Sequence, residues 1–576
     1  MNFDITKVPF SSYGSYIAFS HLTESWKRTE GLYLRTVHTG SELSEVFRIE
    51  LTGGNKVISF HEIASPALLT LETEKGSARI CIPKPKDVRV SCIGVGMRLS
   101  FINGGYPYDY AIPKPGGVWE IVSYTHQMKF MLTPVKGEIR MDAPWGASNP
   151  TQLGCTRIIV NLFPDLQSGV CEFILEEFKA EWAPKTYENS FDDCLSRVQK
   201  EFTDWLNKTL QTPHYLSDAR ELAAYVNWSC VVEPEGKLTR PAMFMSKNWM
   251  ISTWSWDNCF NAMALVEGNP ELAWEQLGLL IDAQDKSGVF PDKINDYLID
   301  WSFCKPPVHG WALKKMIDCS DYISKDRLKE IYTPLCNWTK WWFTYRDDDH
   351  DGIPQYNHGN DSGWDNSTVF NEGCPVESPD LAALLIIQME VLAEVAVRLD
   401  KEDESRVWGK SADTLLEKLL AHSWKEDRFI APKSGSHETC PHDSLLVYVP
   451  IVLGRRLPGH ILRKMVDGLT EQNRFMTEHG IATESVGSPS YLSNGYWSGP
   501  IWAPATMLIV DGLSQIGEER LALDIVSRFC ATIAQSGCMA ENYGALTGEG
   551  LNDQAYTWTS SVFLLLANQY LNKTPE

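Results

Sequence analysis

The hydrophobic period of this 576-residue chain changes once, near residue 182, and that change constrains the fold more than any other feature. Before it, segments such as VRVSCI (88–93), KFMLTPV (129–135), TRIIVNLF (156–163) and CEFILEEF (171–178) are short and rich in β-branched and aromatic residues. Gly, Pro and Asn turns separate them, which predicts a β-sandwich. The stretch WAPKTYEN (182–189) interrupts the pattern, and Ser190 followed by Asp193 opens a helix with a variant of the capping box. The expected domains are therefore an N-terminal β-sandwich over 1–185 and a helical domain over 186–576.

Beyond the boundary the period is helical, with segments starting near Ser190, Asp218, Ala273, Ser378, Glu404, Pro458, Glu518 and Tyr556. In the run 378–399, Ser378 is an N-cap and Pro379 takes the first helical position. Leu381, Leu384, Leu385, Val391, Leu392 and Val395 then recur on one broad face. Many consecutive helices joined by loops of unequal length predict a mainly α toroid of helix pairs, with the long loops carrying function.

Six of those loops interleave Trp and Tyr with Asp, Glu, His and Asn: WSWDNCFNAM (254–263), SGVFPDK (287–293), KPPVHGWAL (305–313), NDSGWDNS (360–367), NGYWSGPIWAPA (494–505) and ENYGALTGEG (541–550). Aromatic faces stack on sugar rings, and carboxylates and amides take hydroxyls in pairs, so this mixture suits a saccharide pocket. For any one Trp, a plug at the end of the toroid explains it equally well; six loops together favour the sugar site. The formal net charge of −22 repels nucleic acid and anionic membranes and suits a neutral or cationic ligand. The start MNFDITKVPF lacks a secretory pattern, and the 14 cysteines are scattered without CxxC pairs. Both predict a cytoplasmic protein.

Cleavage of a glycosidic bond needs one carboxyl to protonate the leaving oxygen and a second to act as nucleophile or as base on water. Asp365 lies between Trp364 and Asn366, where an indole raises its pKa and keeps a proton available. Glu541 follows an apolar patch and precedes Asn542 and Tyr543, a comparable setting. With 74 acidic residues in the chain, spacing alone does not single out these two.

Taken in order, SWDNCF, FPDK, KPPVHGW, DSGWDNS, YWSGPIW and ENYGALTGEG resemble glycoside hydrolase family 63 and its bacterial relatives of the mannosylglycerate-hydrolase type, with a more distant likeness to trehalases. The resemblance implies an (α/α)6 barrel behind the sandwich and inverting hydrolysis of a short α-linked glucoside, with an α-mannosyl or glucosyl-glycerate substrate as the alternative. It implies Asp365 as general acid and Glu541 as general base, roughly 6.5–9.5 Å apart. It also implies a sugar subsite at Trp256 and Asp257, an aromatic wall of Tyr496, Trp497 and Trp502, and Trp364 beside the acid. Phe290, Lys305, His309 and Trp311 join the substrate-binding set through their motifs. Two positions depart from the pattern. Lys305 stands where many relatives carry Gln, and is expected to meet an anionic aglycone or a neighbouring carboxylate; Ser498 stands where many carry Arg, and is expected to enlarge the pocket.

The rival chemistries are narrower. Asp347, Asp349 and Asp351, followed by Gly352, open an EF-hand-like loop, but its twelfth position is His358 and not a bidentate Glu. A sensor hand is not expected; a structural calcium on the three aspartates, completed from elsewhere, and a solvated turn remain as expectations. HETCPH (437–442) is not a zinc helix, since its histidines are five apart and Pro441 breaks the helix. A phosphorylase or epimerase of the same fold, or a sugar-binding protein without turnover, fits less well because both candidate carboxylates are present. The reaction expected needs no cofactor.

Overall fold

The computed structural model describes the whole chain except residues 26–27, 39–43, 103–107, 150–151 and 573–576. It divides into two compact units: residues 1–207 with 224–233 and 246–251, and the remainder. The first unit holds two eight-stranded antiparallel sheets. In one, the strands run in the order Phe10–Ser11, Ile17–Leu22, Gly31–Thr36, Glu45–Gly53, Gly96–Phe101, Ile159–Phe163, Glu138–Asp142, with Lys56–Ile58 added beside Glu45–Gly53. In the other they run Tyr110–Lys114, Val118–Ser123, Met128–Lys136, Val170–Phe178, Asp87–Ile93, Gly76–Lys84, Leu69–Thr73, His61–Ala64. Inward residues of both, including Phe19, Phe47, Ile49 and Leu99 from one and Ile80, Val90, Phe130 and Phe173 from the other, form a single apolar core. Phe47 meets Phe130 edge to face at 5.6 Å across it. All four strand segments expected from the sequence lie in these sheets.

Among the described residues there are twelve α-helices: α1 (Phe191–Lys208), α2 (Ser217–Cys230), α3 (Asp257–Leu265), α4 (Pro270–Asp282), α5 (His309–Cys319), α6 (Lys325–Tyr345), α7 (Pro379–Arg398), α8 (Glu402–Ser423), α9 (Gly459–Thr470), α10 (Ala503–Ile516), α11 (Glu519–Ser536) and α12 (Thr557–Leu566). A further helical segment, Leu445–Arg456, is kinked at Gly454. Ser190 and Asp193 make the expected reciprocal cap of α1, amide to side chain in both directions at 3.1 and 3.2 Å. Helix α1 groups with the sheets, its Phe191 and Cys194 packing on Cys81. Ser378 behaves differently from expectation. Its hydroxyl bonds the Asp380 carboxylate and leaves the helix amides uncapped.

In the second unit, α3, α5, α7, the 445–456 segment, α10 and α12 each pack on the next, and α12 packs back on α3. Every residue of α3 and of α12 is buried, and α7 buries most of its circumference, beyond the one face expected. Helices hydrophobic all round must be enclosed by others. Amphipathic helices do this: α4 lies on α3, α8 on α7, α9 on the 445–456 segment and α11 on α10. Glycines permit the closest approaches. A Cβ at Gly310 of α5 would lie 2.6 Å from Gln388 Cα of α7, and one at Gly512 of α10 would lie 2.6 Å from the backbone of Ile451.

Three motif stretches read as loops are in part helix: WSWDNCFNAM, KPPVHGWAL and NGYWSGPIWAPA run into the first turns of α3, α5 and α10. The polar residues in them mislead because they stand at helix N-termini. There, unpaired amides and the helix dipole favour oxygen-bearing side chains.

Gly512 offers a test in which propensity and packing have opposite signs. In an open helix Gly→Ala gains about 1 kcal/mol. Here the added methyl meets rigid backbone, so Gly512→Ala is expected to destabilise by about 1–3 kcal/mol, read as a fall in the urea midpoint.

Candidate active site

Two three-stranded ribbons deliver most of the polar residues. In one, Thr253–Trp254 pairs with Lys293–Ile294, which pairs with Ile299–Asp300; in the other, Ile501–Trp502 pairs with Asn542–Tyr543, which pairs with Gly550–Leu551. The first ribbon leads into Trp256 and Asp257 at the start of α3 and carries Asp292, whose carbonyl accepts the Ser255 amide at 3.0 Å. The second carries Glu541, whose amide donates to the Asp553 carbonyl at 2.6 Å, and leads from Trp502 into α10.

The Asp365 loop is held by its own neighbours. Buried Asp361 accepts the amides of Cys304 at 3.1 Å and Asn357 at 3.0 Å. Gly363 sits at φ +73°, where a Cβ would lie 2.5 Å from Trp256 Cζ2, and a Cβ on Gly359 would lie 2.1 Å from the Asp365 carbonyl. Both positions therefore require glycine. Asn366 ties this loop to the 494–505 motif: its amide nitrogen donates to the Gly495 carbonyl and its Oδ1 accepts the Trp497 amide, each at 2.9 Å. The Ser498 hydroxyl donates to the Asn366 carbonyl at 2.7 Å and the residue is 6% exposed. Ser498 is thus a tie between two loops, where the sequence suggested an enlarged pocket.

The electrostatics centre on one ammonium. Lys305 is 3% exposed, and its Nζ lies 3.0 Å from Asp292 Oδ1 and donates to the Asn360 carbonyl at 2.8 Å and to its side-chain oxygen. Of the two partners expected for this cation, the structure supplies the carboxylate. Burial pushes Asp257 well above the usual carboxylate range, with Lys305 opposing and Asp292 and Glu541 reinforcing the shift. Asp292 and Asp365 are raised in the same way, again against Lys305. Glu541 is pushed up to about 7 by burial and by the charge of Asp553; Tyr496, whose hydroxyl donates to Glu541 Oε1 at 2.9 Å, pulls it down. The charge of Asp365 also raises Glu541. Asp365 and Tyr496 stay partly exposed, whereas Glu541, Asp257 and Asp292 are buried. Tyr496 has φ +59°, a left-handed backbone that a bulky residue adopts only when its surroundings hold it there.

Those surroundings are indoles. Trp497 stacks on Trp502 at 3.8 Å and lies 4.8 Å from Trp364 and 6.1 Å from Trp256. Trp558 of α12 closes the cluster against Trp256 and Trp502, both at 5.5 Å. Trp502 Nε1 donates to the Tyr496 carbonyl at 2.9 Å, and Trp558 Nε1 to the Glu541 carbonyl at 3.4 Å. These rings cover one another and form a floor beneath the carboxylates. His309, at the first turn of α5, donates from Nε2 to the Ser255 carbonyl at 2.7 Å, and burial lowers its pKa to about 4, so it is neutral. Phe290 packs on His309 at 5.0 Å and on Trp338, supporting the turn before Asp257. Trp311 faces elsewhere: its indole donates to Asp511 of α10 at 2.7 Å.

Asp257, Lys305, Trp256, Trp364, Asp365, Tyr496, Trp497, Trp502 and Glu541 are therefore brought into one region, with Phe290 and His309 behind it. Asp292, Asp361, Asn366 and Trp558 belong to the same region and were not singled out from the sequence. Asp292 lies inside the quoted FPDK motif; nothing in the chain marks Trp558, whose place depends on α12 returning to α3. Asp347, Asp349 and Asp351 lie in a separate turn after α6, their donor oxygens within 4.8 Å of one another.

Comparison with known proteins bears on this arrangement. The family described as "Mannosylglycerate hydrolase MGH1-like glycoside hydrolase domain" matches residues 250–559. A mannosylglycerate hydrolase of Selaginella moellendorffii is 21% identical over 392 residues, covering 54% of this chain and 79% of its own. The structure of a family 63 mannosylglycerate hydrolase of Thermus thermophilus in complex with glucose superposes with TM-score 0.52 at 19% identity, covering 60% of this chain and 98% of that one. A bacterial glucoamylase complexed with acarbose has TM-score 0.64 at 12% identity, covering 99% of this chain and 94% of the other. The family match spans more than half of the sequence and contains every carboxylate of the cluster, and on that ground the chain belongs to the mannosylglycerate hydrolase MGH1-like glycoside hydrolases and is a hydrolase of glycosides.

Proposed function

We propose that the protein hydrolyses a short, neutral α-linked glucoside with inversion, Asp365 protonating the leaving oxygen and Glu541 activating water. The observation that carries this is the pair itself: two carboxyls on separate loops, both raised by burial and near enough that the charge of Asp365 acts on Glu541. The reactive form keeps one proton between them, on Asp365, with the charge on Glu541, and the Tyr496 hydroxyl favours that distribution by donating to Glu541. Asp257 and the partly exposed Tyr496 are then placed to meet sugar hydroxyls. We further read the closed ring of inner helices as the core of an (α/α)6 toroid. No cofactor takes part in the proposed step. Buried thiols, 12 of the 14 cysteines, support a reducing cytoplasmic setting.

A neutral substrate follows from the charge at the site. Lys305 is the cation shared by Asp257, Asp292 and Asp365, and it is already engaged by Asp292 and Asn360. A glycerate carboxylate entering here meets excess negative charge. The family's mannosylglycerate hydrolases favour the other reading, an α-mannosyl or glucosyl-glycerate. A panel of α-linked disaccharides and glycosyl-glycerates followed by NMR separates the two: the β-anomer is expected first, from a neutral glucoside, and initial α-anomer overturns inversion.

Glu541→Gln is expected to lower kcat by at least about a hundredfold on every substrate, since positioned base catalysis is worth about 10²–10⁴. Asp365→Asn is expected to lose as much on a disaccharide and to keep most of its rate on an α-glucosyl fluoride, whose leaving group needs little protonation.

The pH profile has a definite sign. Glu541 must be ionised, so kcat/KM is expected to rise with pH through about 7. Tyr496→Phe removes the hydrogen bond that favours the anion, raises the Glu541 pKa further, and is expected to move this ascending limb to higher pH while lowering the rate about tenfold.

A further inference from the structure

Outside the acid–base region, four side chains that the sequence leaves far apart converge behind the Asp365 loop. Asp351 comes from the turn after α6, Glu377 from just before α7, His422 from the last turn of α8, and His437 from the 433–439 turn. One ligand atom from each lies within 4.8 Å of the others. Glu377 is the telling residue. Its side chain has no solvent exposure, and neither carboxylate oxygen has a hydrogen-bond partner among the described residues. His422 Nε2 lies only 2.7 Å from Glu377 Oε2, yet it too is buried without a hydrogen bond, because its N–H direction misses the oxygen. His437 Nε2 is 3.9 Å from both Glu377 Oε2 and Asp351 Oδ2, and 3.1 Å from Asp349 Oδ2.

We propose that Asp351, Glu377, His422 and His437 bind a zinc-class divalent transition metal as a structural site. A cation seated among these donors satisfies the buried carboxylate and His422 Nε2 together, which no hydrogen bond within the cluster does. The donor set chooses the metal. Two imidazoles with two carboxylates suit tetrahedral zinc at metal–donor distances of about 2.0–2.2 Å, whereas calcium takes six to eight oxygens. A dication also relieves the charge of the neighbouring Asp347 and Asp349.

The site joins segments that hold the acid loop. Val376 bridges both Tyr356 and Lys433, and the Glu377 amide donates to the Pro432 carbonyl at 2.8 Å. Tyr356 also donates to Asp380 of α7 at 2.9 Å. Metal at Glu377 therefore fixes the strand pairing from which the 357–366 loop departs. It acts on position and contributes no atom to the reaction.

The full chain, stripped with chelator, is titrated with Zn2+, Ca2+ and Co2+ separately, with binding followed by calorimetry and melting temperature. One equivalent of Zn2+ is expected to bind and raise the melting temperature, and Co2+ is expected to give visible absorption bands from nitrogen and oxygen ligands. His437→Gln, at a half-exposed position that leaves folding intact, is expected to weaken zinc at least tenfold and to alter the cobalt spectrum. His422→Gln is expected to do the same, and both stripped variants should melt close to the stripped wild type. Absence of stoichiometric zinc overturns the proposal. So does zinc binding that survives in both histidine variants, or stabilisation by calcium alone, which assigns the ion to Asp347, Asp349 and Asp351.

Discussion

The contact between Lys305 and Asp292 is the constraint on which the site depends. At least four carboxyls, Asp257, Asp292, Asp365 and Glu541, are drawn to one end of the helical unit, and three of the four are buried. Burial alone drives such groups neutral. An ammonium at 3.0 Å from Asp292 lowers the pKa of three of them and keeps the cluster from taking up protons without limit. Glu541 takes its relief from the Tyr496 hydroxyl. Asp365 and Glu541 thus answer to different partners, which is how two carboxyls in one pocket come to differ.

Beneath this layer the indoles set positions. Stacked rings at 3.8 Å and edge contacts near 5.5 Å leave little room for movement of Trp256, Trp497, Trp502 and Trp558. Two of their N–H groups reach the carbonyls of Tyr496 and Glu541, so the floor sets the backbone on which hydroxyl and carboxylate meet. A left-handed Tyr496 is tolerated because both neighbours of its peptide are held. Asn366 and Ser498 then fasten the Asp365 loop to the same backbone.

Much of the fold was legible in the sequence. The β segments and most helices announced themselves by period, and Ser190 with Asp193 marked the first helix by a local cap. Helices α3, α5, α6 and α10 were not anticipated: the starts of α3, α5 and α10 lie in tryptophan-bearing polar motifs, and an enclosed helix such as α3 has no polar face to reveal its period. Residues 437–442 form no helix. His437 nevertheless meets a second histidine, His422, from a different element, and no spacing rule records a pair made by helix α8 ending beside a later turn.

What the sequence by itself determined is local: two periods, their boundary region, the caps and turns, and motif residues whose chemistry is that of sugars. Those properties depend on neighbours within a few positions, and the chain carries them wherever it goes. What only the tertiary structure decided is which charges face each other. Lys305 chose Asp292 and Asn360 over open space, Ser498 chose the Asn366 carbonyl, Trp311 turned to Asp511, and Trp558 completed the floor. These partners lie up to 200 positions apart in the chain, as Trp311 and Asp511 do, and helix packing brings them within a few ångströms, the range at which pKa values and hydrogen bonds are set.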